Sequence, residues 1–176
     1  MQSSSRLSLS TLILTCAFQF AASQTVALTN PGKDVPSVAP QHFVCNTGYS
    51  AQECHEQMAV LRPLLDNYGA GRLGDWTWVL VKSDDWKALQ RSHRMDPDSP
   101  AFSVLGRRET FFEEAPVSPV TLRRIELVRQ WSLGTDDLLK LAVTHELGHA
   151  LCNEKNERKA DVYGEMLRRG EAVQCK

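Results

Sequence analysis

Apolar positions recur with a helical period over several stretches of the chain and form strand-like runs over fewer. Ser50 and Glu53 make a capping-box pattern ahead of Cys54, Met58, Leu61 and Leu65, which share one helical face. The spacing predicts a helix to about Tyr68, bent at Pro63 and ended by Gly69. The run WTWVLV from Trp76 to Val81 reads as a buried strand. Ser83-Asp84-Asp85 opens a short helix through Met95, and Asp96 to Pro100 read as a loop. Phe102 to Leu105 and Glu109 to Glu113 read as two short strands turning at Gly106. The second reads as half of a hairpin, or alternatively as an edge strand open to an extended peptide. Ser118 and Pro119 start a helix with Leu122, Ile125, Val128 and Trp131 inward, stopped by Gly134. Thr135 reads as the N-cap of the next helix, with Asp136 and Asp137 where carboxylates suit the dipole. A last helix runs from about Asn156 to Arg169. Trp76, Trp78, Trp86 and Trp131 read as core, and Arg123-Arg124 and Arg168-Arg169 as solvated faces. The fold class is α+β, helix-rich, with a small central sheet.

The first 44 residues follow another logic. Residues 1–23 carry Arg6, no acid, an apolar stretch from Leu7 to Ala22 and then Ala21-Ala22-Ser23, which fits a signal peptide cleaved before Gln24. Residues 24–44, with Pro31, Gly32, Pro36 and Pro40, read as a flexible lead-in to a folded domain over 45–176. The expected location is secreted or periplasmic, with no stable membrane insertion after signal cleavage, because no apolar stretch reaches bilayer-spanning length. Lys plus Arg number 20 against 21 Asp plus Glu, so no basic excess exists to neutralise phosphates and no nucleic-acid partner is expected. Cleavage would leave four cysteines, Cys45, Cys54, Cys152 and Cys175. An even count in an exported chain reads as two disulfides. Three pairings are possible, and proximity favours Cys45–Cys54 with Cys152–Cys175. A cysteine metal site is the rival, but no pair has the CxxC spacing.

The candidate chemistry sits in His145-Glu146-Leu147-Gly148-His149. Histidines four apart on a helix are about 40° apart around the axis, so both imidazoles face one point. Glu146, beside the first histidine, can reach a water there without being a ligand itself. A glycine inside a helix costs about 1 kcal/mol relative to alanine, so Gly148 implies close packing on its face, for instance by the sheet. Two exposed histidines on a solvated helix would give the same spacing, but the preceding LLKLAVT is apolar and continues a buried stripe. Glu157 and Asp161, again four apart, offer two more carboxylates. One can complete a three-ligand site and the other can accept the free N–H of a ligand histidine.

HELGH followed by Glu157-Arg158-Lys159-Ala160-Asp161 and then Tyr163-Gly164 resembles the gluzincin metallopeptidases. The resemblance spans Leu138 to Arg168, and only seven residues separate His149 from Glu157. It implies a zincin-like fold, with an HExxH helix and a C-terminal ligand helix. It also implies Zn²⁺ held by His145, His149 and Glu157, with Glu146 as general base and Asp161 orienting His145. The implied function is an exported zinc-dependent peptidase acting on a peptide or protein substrate. Tyr163, His93, His55 and Arg168 are then candidate oxyanion donors. The alternative is a non-catalytic, zinc-stabilised, disulfide-linked interaction module.

Overall fold

The computed structural model describes residues 40–96, 98–130 and 132–175. The expected leader over 1–23, most of the expected lead-in and Trp131 therefore lie outside the described residues. The elements in chain order are β1 (His42–Cys45), α1 (Ala51–Asn67), β2 (Thr77–Val81), α2 (Ser83–His93), β3 (Ala101–Val104), β4 (Glu109–Glu113), α3 (Pro119–Arg129), α4 (Thr135–Cys152) and α5 (Glu157–Arg168). The four strands form one mixed sheet in the order β1-β2-β4-β3. β1, β2 and β4 run parallel, and β3 pairs antiparallel with β4.

β1 corrects the expected lead-in, which ran to residue 44. His42 N–H donates to the Trp76 carbonyl at 2.8 Å and Asn46 N–H to the Leu80 carbonyl at 2.9 Å. Its partner lies beyond α1, so no local pattern announces the strand. The β3–β4 hairpin follows the sequence reading, but β4 lies inside the sheet between β2 and β3. Among the described residues, the edge on that side is β3.

The strand alternation sorts side chains to two faces. Trp78, Leu80, Ala101 and Phe112 join Leu61 and Leu65 of α1 and Leu139, Val143 and Leu147 of α4 in the larger core. Val81 and Phe102 pack with Trp86 of α2 on the other face, flanked by Val79, Val104 and Phe111. Trp76, Trp78 and Trp86 are all buried, as core tryptophans should be.

Local sequence sets most helix ends. Ser50 Oγ accepts from Glu53 N–H at 3.2 Å, and Glu53 Oε2 accepts from Ser50 N–H at 2.7 Å, closing the capping box. That Ser50 backbone N–H is the largest cause holding the Glu53 carboxyl down at about 2. Ser118 Oγ caps α3 through Thr121 N–H at 3.2 Å. α4 departs from expectation by one residue: Gly134 is its N-cap, without a side-chain cap bond, and Thr135 is already helical. Asp136 and Asp137 in that first turn offset the dipole instead. α3 also departs. It turns Thr121 and Ile125 to the core, whereas Val128 is exposed with Val120 and Leu127. Nor is Arg124 simply solvated, since its Nη2 donates to buried Glu113 Oε2 at 2.8 Å.

The disulfides are Cys45–Cys54 and Cys152–Cys175. The first ties the end of β1 to the first turn of α1. The second joins the end of α4 to the tail beyond α5 and so brackets the α4–α5 hairpin. Closing that loop is worth about 3–4 kcal/mol in the chain-entropy view. Replacing Cys152 and Cys175 together by serine should lower the denaturant midpoint accordingly; an unmoved midpoint would rule the contribution out. Among the described residues no helix is long and apolar enough to cross a membrane.

Candidate metal centre

α4 and α5 form an antiparallel hairpin whose turn is built from its own polar side chains. Asn153 takes the left-handed conformation that ends α4, and Glu154 N–H donates back to the His149 carbonyl at 3.0 Å. Glu154 Oε1 accepts from the backbone N–H groups of Lys155 at 3.0 Å and Asn156 at 2.9 Å. Those bonds, with the one from Asn156 the largest cause, and Lys159 lower the Glu154 carboxyl below the usual carboxylate range. Asn156 Oδ1 then caps α5 through Lys159 N–H at 3.1 Å. The hairpin closes tightly because both crossing helices carry glycine where they meet. A Cβ on Gly148 would lie 2.6 Å from the Ala160 carbonyl oxygen, and one on Gly164 3.0 Å from that of Thr144. The face of Gly148 is therefore packed by α5, not by the sheet.

The hairpin brings the four predicted side chains together. His145 Nε2 and His149 Nε2 are 3.0 Å apart, and Glu157 Oε2 lies 3.1 Å from the first and 3.4 Å from the second. Among the described residues, these are the His, Cys, Asp or Glu side chains that gather in a group of three able to hold a metal ion. On the far side of each ring the other nitrogen is occupied. His145 Nδ1 meets Asp161 Oδ1 at 2.8 Å, the partner expected for it. His149 Nδ1 meets the Glu154 backbone carbonyl at 2.6 Å, a contact the sequence did not suggest.

Those outer partners fix the tautomers. A carbonyl oxygen only accepts, so His149 Nδ1 carries a proton, and the neutral form of that tautomer has its lone pair at Nε2. Asp161 Oδ1 accepting from Nδ1 would give His145 the same tautomer. With both rings in that form, three acceptor atoms would face one another, an arrangement that a cation among them would relieve. For tetrahedral Zn²⁺ with bonds of 2.0–2.1 Å, the ligand–ligand edge is about 3.3 Å, close to the three separations here. Two imidazole nitrogens and one carboxylate oxygen are also a donor set that zinc accepts.

Glu146 lies on the same cleft wall as the two histidines and reaches β3 of the sheet. It is only 4% exposed, and its Oε2 accepts from Ser103 Oγ of β3 at 2.7 Å. Burial pushes its carboxyl above the ordinary range, while the His145 and His149 imidazoles and the Ser103 hydrogen bond pull it back. A cleft of about 1020 Å³ opens beside the site. Ala101, Phe102 and Ser103 of β3, Ile125 of α3 and Leu138, Leu141 and Ala142 of α4 line it, with His145, Glu146, His149 and Glu157 on its wall.

The candidate oxyanion donors fall in different places. His93 stacks near Phe102 and Phe111 on the sheet face turned away from α4. His55 is on α1. Tyr163 is buried behind Gly148. Arg168 lines the cleft and donates to Thr144 Oγ1 at 2.6 Å, next to His145.

No protein-family model, no curated protein and no solved structure matches the chain.

Proposed function

We propose that the chain is an exported zinc-dependent peptidase of the gluzincin type, hydrolysing peptide bonds in a peptide or protein substrate. The observation that carries the reading is the meeting of three lone-pair atoms, from His145, His149 and Glu157, beside a buried carboxylate and an open cleft. Zn²⁺ in that nest would supply Lewis acidity, polarising a scissile carbonyl and acidifying water. The chain's own residues do the rest. Glu146 accepts a proton from water and returns it to the leaving amine. Asp161 and the Glu154 carbonyl keep the two imidazoles aimed at one point. The cleft receives the substrate, and the edge strand β3 offers backbone groups to which an extended chain can add as a strand.

The alternative, a metal that merely clamps two helices, gives Glu146 no task. A buried carboxylate is costly to desolvate, and a structural site would lose nothing with an apolar residue there. The expected leader over 1–23 and two disulfides support export, since such bonds persist in oxidising compartments.

The purified protein should hold one zinc per chain and cleave members of a peptide library. Glu146→Gln should keep the zinc and lose about 10²–10⁴-fold in turnover, the usual share of a general base. A zinc-loaded Glu146→Gln protein as active as the wild type would dismiss the mechanism.

A further inference from the structure

Glu146 is tied to the sheet by more than one hydrogen bond. Ser103 Oγ, which touches Glu146 Oε2 at 2.7 Å, also lies 2.8 Å from Thr110 Oγ1, its cross-strand neighbour on β4. Thr110 Oγ1 in turn lies 3.1 Å from the indole Nε1 of Trp76. Trp76 and Thr110 are buried, so bulk water does not reach the bond between them.

The proton order in this chain is set from its two ends. An indole N–H can only donate, so Thr110 Oγ1 must accept from Trp76. Ser103 Oγ donates its one proton to Glu146 Oε2, so between the two hydroxyls the Thr110 O–H is the donor to Ser103 Oγ.

We propose that Trp76, Thr110 and Ser103 are positioning residues that form a hydrogen-bond chain onto Glu146, fixing its carboxyl group through Oε2 and leaving Oε1 for the reaction. The proposal rests on the reading of Glu146 as general base. It explains why two hydroxyl residues face each other across β3 and β4 on a sheet face otherwise made of Trp78, Leu80, Ala101 and Phe112. It also accounts for the position of Glu146. Its carboxylate is anchored to the sheet, so it does not swing into the metal nest as a fourth ligand.

The test has two arms. In the zinc-loaded protein, Ser103→Ala should lower kcat on the order of 10–100-fold, with KM and zinc content unchanged. Ser103→Thr, which keeps the hydroxyl, should recover most of the loss. Thr110→Val should lower kcat in the wild-type background and add nothing once Ser103 is alanine, because the chain is already cut. The second arm uses the metal-free protein and the ¹H–¹⁵N indole resonances of its tryptophans. Ser103→Ala should shift the Trp76 signal. Those of Trp78, bound to Gln41 Oε1 at 2.6 Å, and Trp86, bound to the Ser99 carbonyl at 3.1 Å, should stay. A Ser103→Ala protein with wild-type kcat, or an unmoved Trp76 indole, would overturn the proposal. If the wild type cleaves no peptide at all, the peptidase reading fails, and the indole arm, which needs neither metal nor substrate, still decides whether the chain exists.

Discussion

Glu157→Ala should lose zinc almost completely, whereas Asp161→Ala should retain it with affinity weakened about 10–100-fold, as for other outer-shell partners. The two carboxylates share one face of α5 and both touch His145, yet they meet opposite sides of its ring. Glu157 Oε2 is 3.1 Å from Nε2, the nitrogen that also faces His149. Asp161 Oδ1 is 2.8 Å from Nδ1, on the side away from the nest. Removing Glu157 leaves two imidazoles, one short of the three protein ligands that a catalytic zinc site uses. Removing Asp161 leaves all three donors and frees one ring to turn and to change tautomer. Isothermal titration with zinc measures both variants directly. The assignment is reversed if Asp161→Ala loses the metal and Glu157→Ala keeps it.

The part of this centre legible in the sequence is the part made by local geometry. His145 and His149, and Glu157 and Asp161, are each one helical turn apart, so period alone put each pair on a face. The capping residues Ser50, Glu53, Ser118 and Asn156 likewise act within one turn of themselves. Apart from the cysteine pairs and the motif carboxylates, the sequence pattern was silent where the partner is distant. β1 forms by pairing with a strand on the other side of α1. Ser103 finds Glu146 across 43 positions, and Thr110 finds Trp76 across 34. Two serine or threonine hydroxyls alternating with aromatics at Ser103 and Thr110 were the only hint, and such residues are common on strands. The Glu154 carbonyl is a backbone group, which no pattern of side chains can point to. Val128 failed for a related reason. Its helical phase is apolar, but α3 meets the core through Thr121, Leu122 and Ile125, and the stripe continues into solvent beyond them.

Gly148→Ala pits two local effects against each other, and packing should win. Alanine in a helix interior is favoured over glycine by about 1 kcal/mol. Yet the new Cβ would lie 2.6 Å from the Ala160 carbonyl oxygen and 3.2 Å from both Ala160 Cα and Tyr163 Cβ. The first of these is backbone, so no side chain can rotate away and α5 itself must back off. Overpacking of this kind costs about 1–3 kcal/mol and sometimes more. At about 2–4 °C per kcal/mol for a domain of this size, the melting temperature should fall by several degrees. The same displacement carries Glu157 and Asp161 away from His145 and His149, so zinc affinity should fall with it. Gly164→Ala should be milder, because its nearest contact is 3.0 Å. Gly71→Ala, where nothing lies within 4 Å, should change neither property and serves as the control. Thermal melts of the metal-free proteins and zinc titrations of the same samples give both numbers. A Gly148→Ala protein that melts higher than the wild type and binds zinc equally well would mean that α5 does not rest on Gly148 as described.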